Sequence, residues 1–482
     1  MRETALPIRF SIRPRPNAMS NVLVHDAVLD GLPVPKRYFA AVAILAGILM
    51  GALDTSIVNV ALPTISHDLG VSASAVIWVA NAYHIASAAT MITFAACGGV
   101  FGYKRVYVAG LVVFTITSLG CAAAQSLEML VLFRGAQGLC YAAMVSIGMG
   151  MYRRIYPANL LGSILGINAL VVAVGTVAGP TVGGVVVTVL SWPWLFLINV
   201  PLGVVAIYFS WRDLPQDRDV GGTFDVVGAV LSTTALVAFV TAVDQAGRWS
   251  DTVIGALVVV SILAGVLFYR SQRAGSAPLL PLQIFSFSRF SLAAMTSLSS
   301  FTAQGLAFVA LPFLLQYTYG RTAIESALLF TPWPLTVVFA APLAGRLADK
   351  FNGTIVSTIG TVIFAVGLAA TALLGDHPTI PDILWRLALC GLGFGLFQAP
   401  NNREMLSSVP KSMTGTASGI LSTARVLGQS LGAAIVAVVM AAIAIPALRF
   451  GFDETTIMHG ALWMASGIAA CSGLFSTLRI HT

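Results

Sequence analysis

The sequence predicts an all-α integral membrane protein of fourteen spans, arranged as two six-helix bundles with two further helices inserted between them. Three observations predict it. Hydrophobic residues make up 57% of the 482 and charged residues only 9%, with a mean hydropathy of +0.89, whereas soluble domains carry roughly 25% charged residues. The apolar residues gather into fourteen runs, most of them near the ~20 residues that a helix needs to cross a bilayer. Glycines and an arginine of the first half also recur at a nearly fixed offset in the second.

The runs lie near 38–60, 74–97, 106–124, 127–150, 162–187, 194–212, 224–244, 252–270, 290–317, 326–345, 354–375, 381–405, 415–445 and 458–478, numbered 1 to 14 in that order. Short polar breaks with turn residues such as Gly247, Gly275 and Pro278 separate them. Placing the N-terminus inside puts twenty of the 26 lysines and arginines in cytoplasmic segments and three, Arg248, Arg321 and Arg449, in outer loops. The remaining three, Arg134, Arg386 and Arg425, fall within runs. That asymmetry is what the positive-inside rule requires, so both termini are expected in the cytoplasm and the chain in the cell inner (plasma) membrane. An odd number of spans spoils the pattern, and twelve is the alternative to fourteen.

The expected units are a disordered cytoplasmic tail over 1–36, an N-terminal bundle over 37–212, a linker with two extra helices over 213–288 and a C-terminal bundle over 289–482. The tail carries Arg9, Arg13, Pro14, Arg15 and Pro16 and has no long apolar core, unlike a cleavable signal peptide. The net charge of +7 reads as topogenic basic residues beside lipid headgroups, with no nucleic acid implied. Cys97, Cys121, Cys140, Cys390 and Cys471 sit in apolar runs without CxxC spacing, which suits packing rather than a disulfide framework or a metal site. No cofactor or metal is implied.

The internal repeat is specific. Gly162, Gly166, Gly175 and Gly179 of run 5 recur as Gly415, Gly419, Gly428 and Gly432 of run 13, and Arg134 of run 4 has a mate in Arg386 of run 12. A matching intramembrane arginine makes chance an unsatisfactory account of the glycines. Two parallel repeats enclosing a central site is a transporter design.

Chemistry concentrates on a few polar residues within the runs. Asp54 lies about six residues, roughly 9 Å, from the outer end of run 1. A charged carboxylate there is costly, so it is expected to face a cavity and to take up a proton readily; the alternative is a helix-end group bonded to Thr55 or Ser56. Arg134 lies at matching depth in run 4, and Asp54 is its expected partner. The pair reads as a proton-coupling switch or as a static bridge between two helices. Gln137, one turn further, shares that face. Gln304 stands where the repeat would place a second acid and does not titrate. With Arg386 and Arg425 added, the cavity is expected to be net positive whenever Asp54 is protonated, which favours neutral, weakly cationic or anionic amphiphiles. Asn59, Trp78, Asn81, His84 and Gln316 are further candidates for lining it, the aromatic one having interfacial anchoring as its plainer reading. In run 5, Gly175, Gly179 and Gly183 form a stripe that admits a neighbouring helix, with Pro180 to bend it and Gly184 to follow.

These strings resemble the major facilitator superfamily, and within it the fourteen-helix drug–proton antiporter branch, over residues 40 to 478. LDTSIVNVALPTI from Leu53 is similar to that branch's helix-1 signature, RGAQG from Arg134 to the helix-4 motif implicated in proton transfer, and GTVAGPTVGG from Gly175 to the helix-5 motif of exporters. WPWLFLINVPLG from Trp192 also resembles the branch. The gating motif between helices 2 and 3 departs from the pattern: Gly99 and Val100 stand where an acid and an arginine belong, while Gly102, Lys104 and Arg105 remain. Its second-half copy keeps Gly345, Asp349 and Lys350.

The resemblance implies a proton-coupled exporter of small amphipathic molecules such as drugs, antibiotics or metabolites, working as a monomer, alone or with a periplasmic adaptor. An uptake symporter is the nearest alternative. A membrane-embedded enzyme would need clustered His, Asp or Glu at a membrane face, and neither an HExxH string nor a P-loop occurs. If the second-half copy carries the latch, Asp349→Asn reduces transport in everted vesicles severely; a near-normal rate would defeat that expectation.

Overall fold

A helix in lipid satisfies its backbone polar groups within itself, which is why apolar runs of this length become helices. The structure, a computed structural model, describes residues 31–157, 160–217, 221, 224–245, 249–275, 278–280, 282–410, 413–444 and 454–481. Among them, fourteen helices are long and apolar enough to cross a bilayer. They are α1 (Lys36–Asp68), α2 (Ala73–Phe101), α3 (Tyr103–Ala122), α4 (Leu127–Tyr152), α5 (Leu170–Val189), α6 (Pro193–Asp213) and α7 (Val226–Val243). The others are α8 (Asp251–Ala274), α9 (Ser288–Thr318), α10 (Ala323–Ala348), α11 (Gly353–Ala372), α12 (Ile380–Ser407), α13 (Gly419–Met440) and α14 (Thr456–Leu478). Helical turns continue past these windows in α4, α5 and α13, over Leu127–Ile155, Leu161–Val189 and Thr414–Ala444. The fourteen expected spans are present, and no strand occurs among the described residues. Residues 1–30 of the expected tail lie outside them.

Successive spans run in opposite directions, so α1 begins and α14 ends at one end of the molecule, called the near end; the opposite face is the far end. Local chemistry opens several helices. The Ser126 hydroxyl accepts from the Met129 N–H at 3.2 Å to start α4, and Asp225 accepts from the Gly228 N–H at 2.7 Å to start α7. Thr322 and Glu325 form a reciprocal capping box at α10. Each cap meets N–H groups that a first turn leaves unpaired. Only Gly102 separates α2 from α3, and its φ of +101° lies in a region that favours glycine.

Close glycine crossings tie the bundles internally. A Cβ at Gly175 would stand 2.8 Å from the Ala52 Cβ of α1, one at Gly183 3.0 Å from the Ile57 carbonyl, and one at Gly179 would overlap the Ser56 hydroxyl. On α13, a Cβ at Gly428 would stand 2.8 Å from the Leu298 carbonyl of α9, and one at Gly432 would overlap the Thr302 carbonyl. Two pairs of the glycine repeat, Gly175 with Gly428 and Gly179 with Gly432, therefore mark one repeated crossing, α5 on α1 and α13 on α9. The inserted α7 packs on both α2 and α13, one from each bundle, while α8 leans on α7 and is left largely facing lipid.

The bundles are sealed to each other at the far end. Thr181 of α5 and Thr331 of α10 share a hydrogen bond of 2.9 Å. Gln316 of α9 donates to the Val60 carbonyl of α1 at 3.1 Å, and the Tyr317 hydroxyl to the Pro63 carbonyl at 3.2 Å. A π-helical turn over Leu314–Thr318, just after Pro312, gives those two side chains their register. Gly184 lets α10 approach, since a Cβ there would stand 2.6 Å from that of Ala327.

The α5–α1 crossing predicts that Gly179→Val lowers thermal stability in detergent, by about 1–3 kcal/mol of overpacking. Gly265→Ala, on α8 with no heavy atom within 4 Å of its added Cβ, is expected to hold or slightly raise stability. Equal melting temperatures for both variants would show that the crossing relaxes without cost.

Candidate functional site

Asp54 is the centre of a sealed polar cluster in the N-terminal bundle. Its side chain and that of Arg134 are each only 1% exposed, with Asp54 Oδ2 at 2.5 Å from Arg134 Nη1. The same Arg134 nitrogen donates to Gln137 Oε1 at 2.7 Å, and Arg134 Nε to the Val79 carbonyl of α2 at 3.0 Å. Asn199 of α6 donates to Asp54 Oδ1 at 3.0 Å. Gln137 donates from Nε2 to the Ser118 hydroxyl of α3 at 2.8 Å and, more weakly, to Asp54 Oδ1 at 3.4 Å. The Tyr83 ring lies 4.2 Å from the guanidinium carbon and that of Phe196 5.7 Å, geometry in which a ring face attracts a cation. A buried ion pair needs further hydrogen bonds to offset its desolvation, and here both carboxylate oxygens and the Nε and Nη1 of Arg134 have them.

Asp54, Arg134 and Gln137 are thus brought together, at the depth and with the partner the sequence predicts. One expectation is corrected. Asp54 does not face a cavity in this conformation, because Arg134, Asn199 and Gln137 saturate its oxygens and aromatic rings cover the arginine. The cavity charge is corrected too. Arg386 is neutralised by Asp382, one turn away on α12 at 3.0 Å, so its charge is not added to Arg425. Arg425 is half-buried on α13 with no carboxylate or hydrogen-bond partner among the described residues.

The other candidates are dispersed. His84 is 5% exposed and stands edge-on to Tyr83, and its Nδ1 has no hydrogen-bond partner. Asn59 is buried with an unpartnered Oδ1, and Asn81 is fully buried. Gln304 accepts a long 3.4 Å bond from Gln429 of α13. Gln316 belongs to the far-end seal, and Trp78 packs with Ile85, Val240 and Ala434 at the seam of α2, α7 and α13. Pro180 is buried in the α5 stripe. An apolar crevice of about 500 Å³ opens between α7, α8, α13 and α14, lined by Phe239, Val258 and Val439 among others and apart from the Asp54 cluster.

At the near end, the α2–α3 turn recruits a carboxylate that sequence reading overlooked. Asp217, beyond α6, accepts from the Lys104 N–H at 3.1 Å and the Arg105 N–H at 3.3 Å. Lys104 Nζ donates to the Trp211 and Leu214 carbonyls at 2.7 and 3.1 Å. In the second half, no heavy atom lies within 4 Å of a Cβ added at Gly345, and Lys350 is exposed. The Asp349 side chain lies outside the described residues. Asn199 was the other omission; its signal was a lone amide inside the apolar run LFLINVPLG.

Residues 44–433 match the Major Facilitator Superfamily. The uncharacterized transporter YebQ of Escherichia coli (strain K12) is 44% identical, over 92% of this chain and 97% of its own. The tetracenomycin C resistance and export protein of Streptomyces glaucescens is 30% identical, over 86% and 77%. Among solved structures, a POT family transporter in complex with a thioalcohol conjugated peptide superposes with a TM-score of 0.70 over 92% of this chain and 96% of that one, at 13% identity, a likeness of fold alone. The chain belongs to the Major Facilitator Superfamily, with relatives that include multidrug resistance proteins of its drug-efflux branch.

Proposed function

We propose that this transporter is a proton-coupled exporter of small amphipathic molecules, alternating between far-end-sealed and near-end-sealed states, with the far end outermost. The observation that carries the reading is the position of the Asp54–Arg134 pair. Asp54 lies just before Ser56, Ile57, Val60 and Pro63, the stretch of α1 that meets α5 and the far-end seal. Breaking that seal shifts the same helix that holds the carboxylate, which gives outside protons a route to it. A proton on Asp54 removes the charge that holds Arg134, so protonation state and bundle position become linked. The export protein among the relatives supports the outward direction. Arg425, His84 and Asn59 offer the unpartnered polar groups with which an amphiphile between the bundles would bond, and the apolar walls would take the rest of it.

A second reading rests on the full satisfaction of Asp54, which equally suits a static brace between α1 and α4. Two variants separate the readings in everted vesicles with an acidified lumen. Asp54→Asn leaves Arg134 buried and unpaired, a loss of about 3–5 kcal/mol, and is expected to abolish alkalinisation triggered by a panel of amphiphiles. The double variant Asp54→Asn/Arg134→Gln removes both charges and is expected to regain thermal stability while staying uncoupled. Wild-type proton flux in the double variant would reduce the pair to a brace.

A further inference from the structure

Each bundle carries an ion-paired clasp at its near end, and the two clasps have opposite polarity. In the N-terminal bundle the base is Arg154, at the end of α4, and the acid is Asp217, beyond α6, with 4.0 Å between Arg154 Nη1 and Asp217 Oδ1. In the C-terminal bundle the acid is Glu404, near the end of α12, and the base is Arg479, just beyond α14, at 3.2 Å. Arg154 and Glu404 are 250 residues apart, as are Lys104 and Thr354, the residues beside them at the starts of α3 and α11. Lys104 gives its N–H to Asp217, and Thr354 gives its hydroxyl to both oxygens of Glu404 at 3.0 Å. Asp217 and Glu404 are 6% and 14% exposed, so neither is an incidental surface contact.

Both clasps sit in strongly basic rims. Arg105 is exposed on the N-terminal side, as is Arg212, which lies 3.6 Å from the buried Asp213, and Arg289, Arg346 and Lys350 are exposed on the other. When the far end opens, these rims must approach one another, and like charges brought within a screening length repel. We infer that Asp217 and Glu404 are positioning residues that lower the positive charge of the two rims and thereby permit the near-end-sealed state. The inference rests on the alternating-access reading above. Asp217 also caps α3, but asparagine caps a helix about as well as aspartate. Asp217→Asn therefore keeps the cap and deletes only the charge.

The experiment places spin labels at Phe101→Cys and Phe351→Cys, exposed near-end positions in different bundles, with Cys97 and Cys471 replaced by serine, in liposomes. In the parent, the label pair is expected to switch between a long and a short distance. Asp217→Asn is expected to deplete the short population severalfold at low salt and to recover it in about 1 M salt, where the screening length falls to about 3 Å. Adding Arg154→Gln, which removes the cation beside it, is expected to restore the short population at low salt; a purely structural role would make that double variant worse. An Asp217→Asn population equal to the parent's, or a defect indifferent to salt, would overturn the inference while leaving alternating access in place. A parent pair fixed at one distance under every pH and salt condition would overturn the alternating-access reading itself.

Discussion

Keeping one carboxylate charged inside a bilayer governs the architecture of the N-terminal half. An isolated ion there costs several kcal/mol even after relaxation, and removing one member of a buried pair costs about 3–5 kcal/mol. Asp54 meets that cost by convergence. α1 supplies the acid, α4 the arginine and glutamine, α6 an amide, α2 a backbone carbonyl and α3 a hydroxyl. Five of the six helices of the bundle therefore meet at one polar cluster. Among the described residues, only α5 contributes nothing to it. Its glycine stripe packs closely on α1, with the Ser56 hydroxyl donating to the Gly175 carbonyl at 3.3 Å, and its other face reaches α10 through Thr181 and Gly184. A helix held by packing and a few neutral hydrogen bonds can slide or tilt at lower cost than one held by a buried ion pair, which suits α5 to the boundary between bundles.

The C-terminal half keeps the crossing and discards the charge. Gly428 and Gly432 seat α13 on α9 much as Gly175 and Gly179 seat α5 on α1, yet the counterpart of Asp54 is Gln304, and the counterpart of Arg134 finds Asp382 on its own helix. A pair one turn apart on one helix cannot report the movement of one helix against another. Among the described residues, the ion pair at this depth that joins two helices therefore belongs to the first half.

How much of this was legible follows from what lipid exposes. A charge or amide inside an apolar run stands out because hydrocarbon offers it no partner, so Asp54, Arg134 and Gln137 were found, and so was the glycine repeat that shapes the crossings. Asn199 was just as visible in principle but lacked a charge to draw attention. The Val79 carbonyl has no sequence signature at all. The position of Gln316 in run 9 suggests a cavity-lining residue and does not reveal the π-helical turn that presents it to α1. Asp217 was hidden for the opposite reason: it lies in a polar linker, where acids are unremarkable, and 113 residues from the N–H it caps.

The swapped polarity of the clasps has a local cause. An ion pair is indifferent to which side carries which sign, but a helix start is not, because its free N–H groups call for an acceptor. α3 begins at Gly102, which has no side chain to cap it, so the acceptor has to come from elsewhere and the acid falls at residue 217. α11 begins after Asn352, whose own side chain accepts from the Thr354 N–H at 2.9 Å. With that need met locally, the acid of the second clasp is free to sit on α12 and the base on the segment after α14. The glycine that permits the tight α2–α3 turn thus decides, through the cap it cannot provide, where the N-terminal bundle keeps its near-end carboxylate.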